Sequence, residues 1–258
     1  MSIIKIGDLE IGGDRVIIIA GPCALENEEQ ALRITRIVKG VGAQTFRAQI
    51  FKPRTDPDSF QGLGLAGLPI LALLKRETGL LLITEVLDPR DIEKVCDYCD
   101  ILQIGSRSMQ NFPLLIEAGK TGKPVMLKRG MGATIQDYLS AAKYITNQGN
   151  QRLILCERGI VTFEGYTRNT LDINGLMALK DISGFPVFID PSHGTGRREM
   201  VVRAALAGIA AGADGVMVEV HYDPDSSLVD AKQTISSEQF SELMEKGRSV
   251  AEAIGRSM

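Results

Sequence analysis

The sequence predicts an α/β fold, a closed (β/α)8 (TIM) barrel with a short N-terminal β-hairpin. Eight short apolar runs alternate with segments of helical periodicity, which is typical of buried parallel strands joined by helices. The length of 258 residues is close to the roughly 250 residues of such a barrel. No linker or low-complexity segment interrupts the repeat, so we predict one domain over residues 1–258. A doubly wound open sheet is the structural alternative.

The elements follow from the pattern in chain order. The hairpin is predicted within residues 1–13, because Gly7-Asp8 forms a turn signal between two apolar runs. Residues 51–67 form an unusually long connection for a strand–helix unit. The predicted strands are Val16–Ala20, Thr45–Ile50, Leu80–Val86, Ile101–Gly105, Pro124–Lys128, Arg152–Cys156, Pro186–Ile189 and Gly215–Val218. The predicted helices are Glu26–Lys39, a helix ending near Glu77, Pro89–Tyr98, Phe112–Ala118, Thr134–Thr146, Ile173–Asp181, Arg197–Ala211 and Ser237–Ile254.

Composition excludes several classes of protein. The net charge of −3 argues against a general binder of nucleic acids or of membrane surfaces. No apolar run approaches the roughly 18–20 residues that span a bilayer, and the first residues lack the apolar core of a signal peptide. Four cysteines without a regular spacing indicate a reducing, cytoplasmic setting.

The two histidines stand where two of the apolar runs end. They lie in the stretches Ile189-Asp190-Pro191-Ser192-His193 and Val218-Glu219-Val220-His221. Because the carboxyl ends of barrel strands share one face, His193 and Glu219 can meet Cys23, which follows the first strand, and Asp230, which follows the last. Thiolate, imidazole and carboxylates suit a divalent ion such as Zn, Mn, Fe or Co. Cys23 could instead be a small apolar residue, and we expect His221 to support a ligand rather than to be one.

Cations also gather after the strands. Such a set needs anions to hold it, and phosphate or carboxylate groups match arginine forks. We therefore predict a site for a phosphorylated small molecule. The charged residues at this rim are Arg47, Lys52, Arg54, Glu85, Arg107, Lys128, Arg129, Glu157 and Arg158.

With these residues in view, the chain resembles 3-deoxy-D-arabino-heptulosonate 7-phosphate (DAHP) synthases of the short microbial type. The matching motifs run in family order from about Val16 to Asp230, and together they are highly specific. They are Ala20-Gly21-Pro22-Cys23-Ala24, Phe51-Lys52-Pro53-Arg54-Thr55, Ser59-Phe60-Gln61-Gly62, Thr84-Glu85-Val86, Gln103-Ile104-Gly105-Ser106-Arg107, Leu127-Lys128-Arg129-Gly130, Cys156-Glu157-Arg158-Gly159, Asp190-Pro191-Ser192-His193 and Val218-Glu219-Val220-His221.

The resemblance implies a metal-dependent aldol-type condensation of phosphoenolpyruvate with erythrose 4-phosphate, the first step of the shikimate pathway to aromatic amino acids. It implies one divalent metal ion per subunit and a homodimer or homotetramer. The implied metal ligands are Cys23, His193, Glu219 and Asp230. The implied substrate-binding residues are Arg47, Lys52, Pro53, Arg54, Thr55, Ser106, Arg107, Lys128, Arg158 and His193, and we expect Lys52, Glu85, Cys23 and His193 to be catalytic, with Glu85 positioning water.

Some features leave alternatives open. The related 3-deoxy-D-manno-octulosonate 8-phosphate synthases read Lys-Ala-Asn-Arg where this chain has Lys52-Pro53-Arg54-Thr55, which favours the four-carbon aldehyde. Ala48-Gln49 replaces a common glycine pair, which we expect to alter packing around Arg47, and Val161 stands where arginine is common. A Schiff-base aldolase using Lys52 or Lys128, and a sugar-phosphate-binding regulator, are the other hypotheses. Since no regulatory domain is recognised, we expect little feedback inhibition by aromatic amino acids.

Overall fold

The structure, a computed structural model, describes residues 2–258 and consists of a hairpin followed by a closed barrel. The hairpin strands pair antiparallel, with Ile6 opposite Leu9. The eight later strands are all parallel, and each pairs with its neighbour in sequence until the last pairs with the first. The hairpin strands are β1 (Ile4–Ile6) and β2 (Leu9–Ile11). The barrel strands are β3 (Ile17–Gly21), β4 (Thr45–Arg47), β5 (Leu81–Glu85), β6 (Ile101–Ile104), β7 (Val125–Lys128), β8 (Leu153–Glu157), β9 (Val187–Ile189) and β10 (Gly215–Glu219).

Helices connect the strands around the outside of the barrel. Their amphipathic pattern turns leucine, isoleucine and valine side chains towards the strands, which forms the largest of three apolar clusters. Side chains cap several of them: Asn27 accepts the backbone N–H of Gln30, and Thr134 and Asp137 form a capping box. The helices are α1 (Glu28–Val41), α2 (Leu68–Thr78), α3 (Ile92–Cys96), α4 (Phe112–Lys120), α5 (Ile135–Thr146), α6 (Ile173–Ile182), α7 (Pro191–Thr195), α8 (Arg198–Ala210) and α9 (Ser237–Ala253).

The N-terminal hairpin closes one end of the barrel. Ile4, Ile6 and Ile11 are buried in the second core, which fills the barrel interior and includes Ile17 and Phe188. This end is the amino-terminal end of the strands, because Ile17 is the first residue of β3. The functional groups are therefore left to the opposite, carboxyl-terminal rim.

The structure confirms the predicted fold class, and two connections differ from the sequence-based expectation. Residues 191–195, to which no element was assigned from the sequence, form the short helix α7, since Asp190 accepts the backbone N–H of His193 and Pro191 fits the first helical turn. The predicted helix over residues 89–98 divides into a 3-10 turn, Pro89–Asp91, and the five-residue α3. Among residues 2–258, no helix combines the length and apolar character needed to cross a membrane.

Candidate active site

A polar cleft of about 490 Å³ lies at the carboxyl-terminal rim of the barrel. Most of the predicted site residues lie in its wall, and they come from six of the eight strand–helix units because each strand ends there. The predicted residues in the wall are Arg47, Lys52, Pro53, Glu85, Ser106, Arg107, Lys128, Arg158 and His193.

Cys23, His193, Glu219 and Asp230 come together beside this cleft. One possible ligand atom from each residue lies within 4.8 Å of the others, and the first three residues are buried. His193 Nε2 lies 3.2 Å from Glu219 Oε1 and 3.7 Å from Asp230 Oδ2. The structure thus places the four residues predicted as ligands in one cluster.

Asp190 fixes the orientation of His193. Its Oδ1 accepts the backbone N–H of His193 at 3.0 Å, and its Oδ2 lies 2.7 Å from His193 Nδ1. Nε2 is therefore the ring nitrogen that faces the carboxylates. Burial lowers the pKa of His193 to about 4, so the imidazole is neutral at pH 7, the form that binds metal ions. Ser192, also on α7, accepts the backbone N–H of Glu219 at 3.0 Å and joins the two motifs.

Lys52 places a cation against the cluster. Its Nζ lies 2.7 Å from Cys23 Sγ and 2.8 Å from Asp230 Oδ2. Although burial opposes the charged form, Cys23 and Asp230 raise the pKa of Lys52 above its usual value. Lys52 is therefore an ammonium group and not a neutral amine.

Asp230 adopts a strained backbone conformation. Its φ of 54° is the only positive value among the non-glycine residues described. Its carbonyl oxygen accepts the backbone N–H groups of Gln233 and Thr234, at 3.1 and 3.2 Å, which stabilises this turn. Such strain costs about 1–3 kcal/mol and is commonly found at functional sites. Here it directs the carboxylate towards Cys23 Sγ, 3.1 Å away.

Arg47 lies between the cluster and the barrel wall. It is 2% exposed, its Nη2 is 3.1 Å from Glu219 Oε1, and its Nε donates to the carbonyl of Pro22. This packing requires Gly21, because a Cβ there would fall 2.3 Å from the carbonyl oxygen of Arg47. Arg47 is thus held rigidly beside Glu219.

Buried polar atoms without hydrogen-bond partners indicate what the site accommodates. Glu219 Oε1 accepts no hydrogen bond, and Nη1 of Arg47 and of Arg158 donates none. An unsatisfied buried group costs about 1–3 kcal/mol, more when it is charged, so such atoms suggest absent partners. Glu219 Oε1 belongs to a cluster of a thiol, an imidazole and two carboxylates, and these groups together fit a divalent cation. The guanidinium donor of Arg158, in the cleft wall, fits an anion.

Glu85 is the acid that lies among the cleft cations. Burial raises its pKa, whereas Lys52, Lys128 and Arg47 act to lower it. Its Oε2 accepts a hydrogen bond from Gln103 Nε2 at 2.8 Å. The carboxylate is thus held beside the groups expected to bind substrate.

The predicted aldehyde-binding loop is placed at the margin of the cleft. Pro53 lies in the wall, and its carbonyl accepts a hydrogen bond from Arg107 Nη1 at 2.9 Å. Arg54 and Thr55 are not among the lining residues; Nη1 of Arg54 is buried without a partner, and Thr55 is exposed. The loop backbone returns on itself at Gly62, where a Cβ would fall 2.3 Å from the carbonyl oxygen of Ile50.

Three expectations about charged and polar residues were wrong. His221 does not support a ligand: its nitrogens contact Gln30 Nε2 and the backbone N–H of Asp223. Arg129 and Glu157 do not join the cleft but pair with each other at 2.9 Å. The reason is strand alternation: Lys128 faces into the cleft, so the next side chain faces the outer helices.

Two cleft residues were missed by the sequence reasoning. Gln103 lies in the wall and hydrogen-bonds to Glu85; it belongs to the motif Gln103-Ile104-Gly105-Ser106-Arg107, from which only Ser106 and Arg107 were predicted as site residues. Arg168 also lies in the wall and contacts Asp230 Oδ1 at 3.3 Å. Arg168 belongs to the loop between β8 and α6, away from any strand end, so the local sequence pattern does not indicate its position.

Comparisons with known proteins identify the group to which the chain is similar. A model described as the DAHP synthetase I family matches residues 2–256. A phospho-2-dehydro-3-deoxyheptonate aldolase of Thermotoga maritima is 45% identical over 254 residues, which are 98% of this chain and 75% of the relative. A 2-dehydro-3-deoxyphosphooctonate aldolase of Desulfatibacillum aliphaticivorans is 35% identical over 250 residues, 90% of each chain.

Solved structures give the same result. The crystal structure of the Thermotoga maritima DAHP synthase superposes with a TM-score of 0.95 at 44% identity, covering 99% of this chain and 75% of that one. A truncated form of 3-deoxy-D-arabino-heptulosonate 7-phosphate synthase from the same organism gives a TM-score of 0.92 at 41% identity, covering 99% and 94%. The chain belongs to the DAHP synthetase I family.

Proposed function

We propose that the protein condenses phosphoenolpyruvate with erythrose 4-phosphate and water to give DAHP and phosphate. The observation that carries this proposal is the position of the cluster of Cys23, His193, Glu219 and Asp230 beside a cleft rich in cations. The cluster suits a divalent metal, and the cleft suits a substrate with several negative charges. Family membership supports the same activity.

The cations divide between the anionic groups. Arg107, Lys128 and Arg158 hold the phosphate of phosphoenolpyruvate, and the free Nη1 of Arg158 supplies one of the donors. Arg47 and Lys52 lie on the side of the cluster and hold the carboxylate. Fixing both ends of phosphoenolpyruvate presents its methylene carbon (C3) to the aldehyde in one orientation, which lowers the entropy cost of the reaction.

The aldehyde is bound by the loop that follows β4. Arg54 and Thr55 hold the phosphate of erythrose 4-phosphate, and the unpaired Nη1 of Arg54 is available for it. Pro53, fixed by its contact with Arg107, sets the spacing between the two phosphate sites. The divalent metal, when bound to Cys23, His193, Glu219 and Asp230, supplies a Lewis acid that polarises the aldehyde oxygen.

The chemistry then proceeds in two bond-forming steps. The methylene carbon (C3) of phosphoenolpyruvate attacks the aldehyde carbon, and water adds to C2, the carbon that bears the phosphate. Glu85 accepts a hydrogen bond from that water and positions it, while Lys128 and Arg158 balance the charge of the intermediate. Phosphate leaves by cleavage of its carbon–oxygen bond, which completes the balance of one water consumed and one phosphate released.

A Schiff-base mechanism is disfavoured by the site. Lys52 is held as an ammonium group by Cys23 and Asp230, and Lys128 is paired with Asp190. A lysine must be neutral to attack a carbonyl. Borohydride should therefore trap no adduct.

The test is phosphate release by protein stripped with chelator, with and without added Mn, Fe, Zn or Co. Phosphoenolpyruvate is supplied with erythrose 4-phosphate or with arabinose 5-phosphate, because relatives include octonate aldolases. Metal-dependent release with the four-carbon aldehyde is expected. Faster release with arabinose 5-phosphate would change the substrate assignment, and no release with either would refute the proposal.

The oligomeric state and the cellular location of the protein are two further proposals. We propose a homodimer or homotetramer, by analogy with the family, which light scattering of the purified protein tests directly. A single species of about 28 kDa would refute it. We also propose a cytoplasmic location, which is supported by four cysteines that are all free thiols.

A further inference from the structure

Gln49 and Gln103 form a closed chain of hydrogen bonds with Glu85, which we call the amide relay. Gln49 is 1% exposed, and its Nε2 donates to Gln103 Oε1 at 3.1 Å. Gln103 Nε2 donates to Glu85 Oε2 at 2.8 Å. The backbone N–H of Glu85 donates to Gln49 Oε1, so the relay begins and ends at Glu85.

The direction of the relay is fixed by the backbone. An N–H group can only donate, so Gln49 must present its oxygen to Glu85 and its amino group to Gln103. Gln103 must then present its oxygen to Gln49 and its amino group to the Glu85 carboxylate. The orientation of the Gln103 amide is therefore set by Gln49.

Gly105 packs against the other carboxylate oxygen of Glu85. A Cβ on Gly105 would fall 2.1 Å from Glu85 Oε1, so the carboxylate packs directly against that glycine. The charged groups that act on Glu85 are Lys52, Lys128 and Arg47, which all favour its ionised form against the effect of burial. Gln103 Nε2 donates a hydrogen bond directly to the Glu85 carboxylate. Whether Gln103 presents its amino group or its oxygen to Glu85 depends on Gln49.

We propose that Gln49 is a positioning residue for the reaction, which keeps Glu85 ionised and fixed in the cleft by orienting Gln103. This inference rests on the proposed function. Without Gln49, the Gln103 amide can rotate and turn its oxygen towards Glu85. An amide oxygen hydrogen-bonds only to the protonated carboxyl, so Glu85 would hold its proton to higher pH.

Two substitutions test the relay. Gln49→Met removes both hydrogen bonds at nearly constant volume. Gln49→Glu is isosteric and reverses the relay, because its carboxylate accepts from Gln103 and cannot donate to it. For both, the acid limb of the kcat–pH profile should move to higher pH by about one unit, and kcat at neutral pH should fall about tenfold, the effect of one hydrogen bond to a charged group. KM for both substrates should change less than kcat.

Gln30→Met is the matched control. Gln30 is also buried, its Oε1 accepts the backbone N–H of Glu26 at 3.1 Å, and its Nε2 contacts His221. The same type of amide is lost away from Glu85, so the acid limb should keep its wild-type position. Thermal melts of all variants confirm folding, and Gln49→Leu, which also removes both hydrogen bonds and adds no charge, carries the test if Gln49→Met does not fold.

A measurement without turnover separates this inference from the proposed function. The carboxyl ¹³C resonance of Glu85, assigned by its loss in Glu85→Gln, reports the pKa of that residue directly. We expect a higher pKa in the Gln49 variants than in the wild type and in Gln30→Met. Equal values in folded protein would overturn the inference whether or not the protein has the proposed activity, whereas an inactive wild type with shifted Glu85 values would refute only the activity.

Discussion

Asp190→Asn tests whether one buried carboxylate organises the metal cluster. In the wild type, Asp190 Oδ1 accepts the backbone N–H of His193, and Oδ2 contacts His193 Nδ1 and Lys128 Nζ. Asparagine keeps one oxygen, which the backbone N–H holds, so its amino group must face Nδ1. The histidine then changes tautomer and carries its proton on Nε2, the nitrogen that faces Glu219 and Asp230.

The magnitudes follow from this geometry. Loss of the hydrogen-bond partner of a metal-binding histidine typically lowers metal affinity by about 10–100-fold. Lys128 also loses its charged partner. The side chains of Lys128 and Asp190 are at most 5% exposed, and breaking such a buried ion pair lowers the free energy of unfolding by about 3–5 kcal/mol. For a chain of this size, that corresponds to a fall in Tm of roughly 6–20 °C.

The assay is competition of the stripped protein with a chelating dye for Mn or Zn, combined with thermal melts. Asp214→Asn is the control, because Asp214 is also fully buried and paired, with Lys180 at 2.7 Å, but it precedes β10 at the opposite end of the barrel. It should lower Tm similarly and leave metal affinity unchanged. Wild-type metal affinity in folded Asp190→Asn would refute the reasoning.

Three further outcomes are expected. Gly105→Ala should lower kcat at least tenfold while the protein stays folded, because the new Cβ would fall 2.1 Å from Glu85 Oε1 and displace the carboxylate. An unchanged kcat in steady-state kinetics would contradict the proposed role of Glu85 in positioning water. Cys99 and Cys156 should resist a thiol reagent in native protein at pH 8, because burial raises the pKa of each to about 12. Their reaction with the reagent should become faster as the pH rises. Rapid labelling of either cysteine at pH 8, measured by mass spectrometry, would contradict this expectation. Cys23→Ala should remain folded, bind metal poorly and lose activity, and an active variant with a full complement of metal by elemental analysis would remove Cys23 from the ligand set.

Most of the fold was predictable from local patterns. The apolar runs predicted as strands Val16–Ala20 and Gly215–Val218 form the strands Ile17–Gly21 and Gly215–Glu219, because both faces of a barrel strand are buried. The β4 strand was predicted as Thr45–Ile50 and ends at Arg47, because its pairing with β5 ends where Arg47 lies opposite Ile83. The five-residue α7 could not be found by periodicity, because it is too short to show a repeat.

The site was predictable where it depends on strand ends and not where it depends on side-chain direction. The rule that strands end at one rim brought Cys23 and Glu219 together without any coordinates. It could not separate Lys128, which faces the cleft, from Arg129, which pairs with Glu157 outside it. The position of Gln49 was expected to alter packing around Arg47; its hydrogen bonds instead go to Glu85 and Gln103, and only the three-dimensional register reveals them.

The hairpin of Ile4–Ile6 and Leu9–Ile11 has a consequence for how substrates enter the cleft and products leave it. Because it fills the amino-terminal end of the barrel with isoleucine side chains, the cleft has one mouth. Both substrates enter and both products depart by that mouth, so a departing product blocks the next substrate. Product inhibition studies should therefore show DAHP competing with phosphoenolpyruvate for free enzyme.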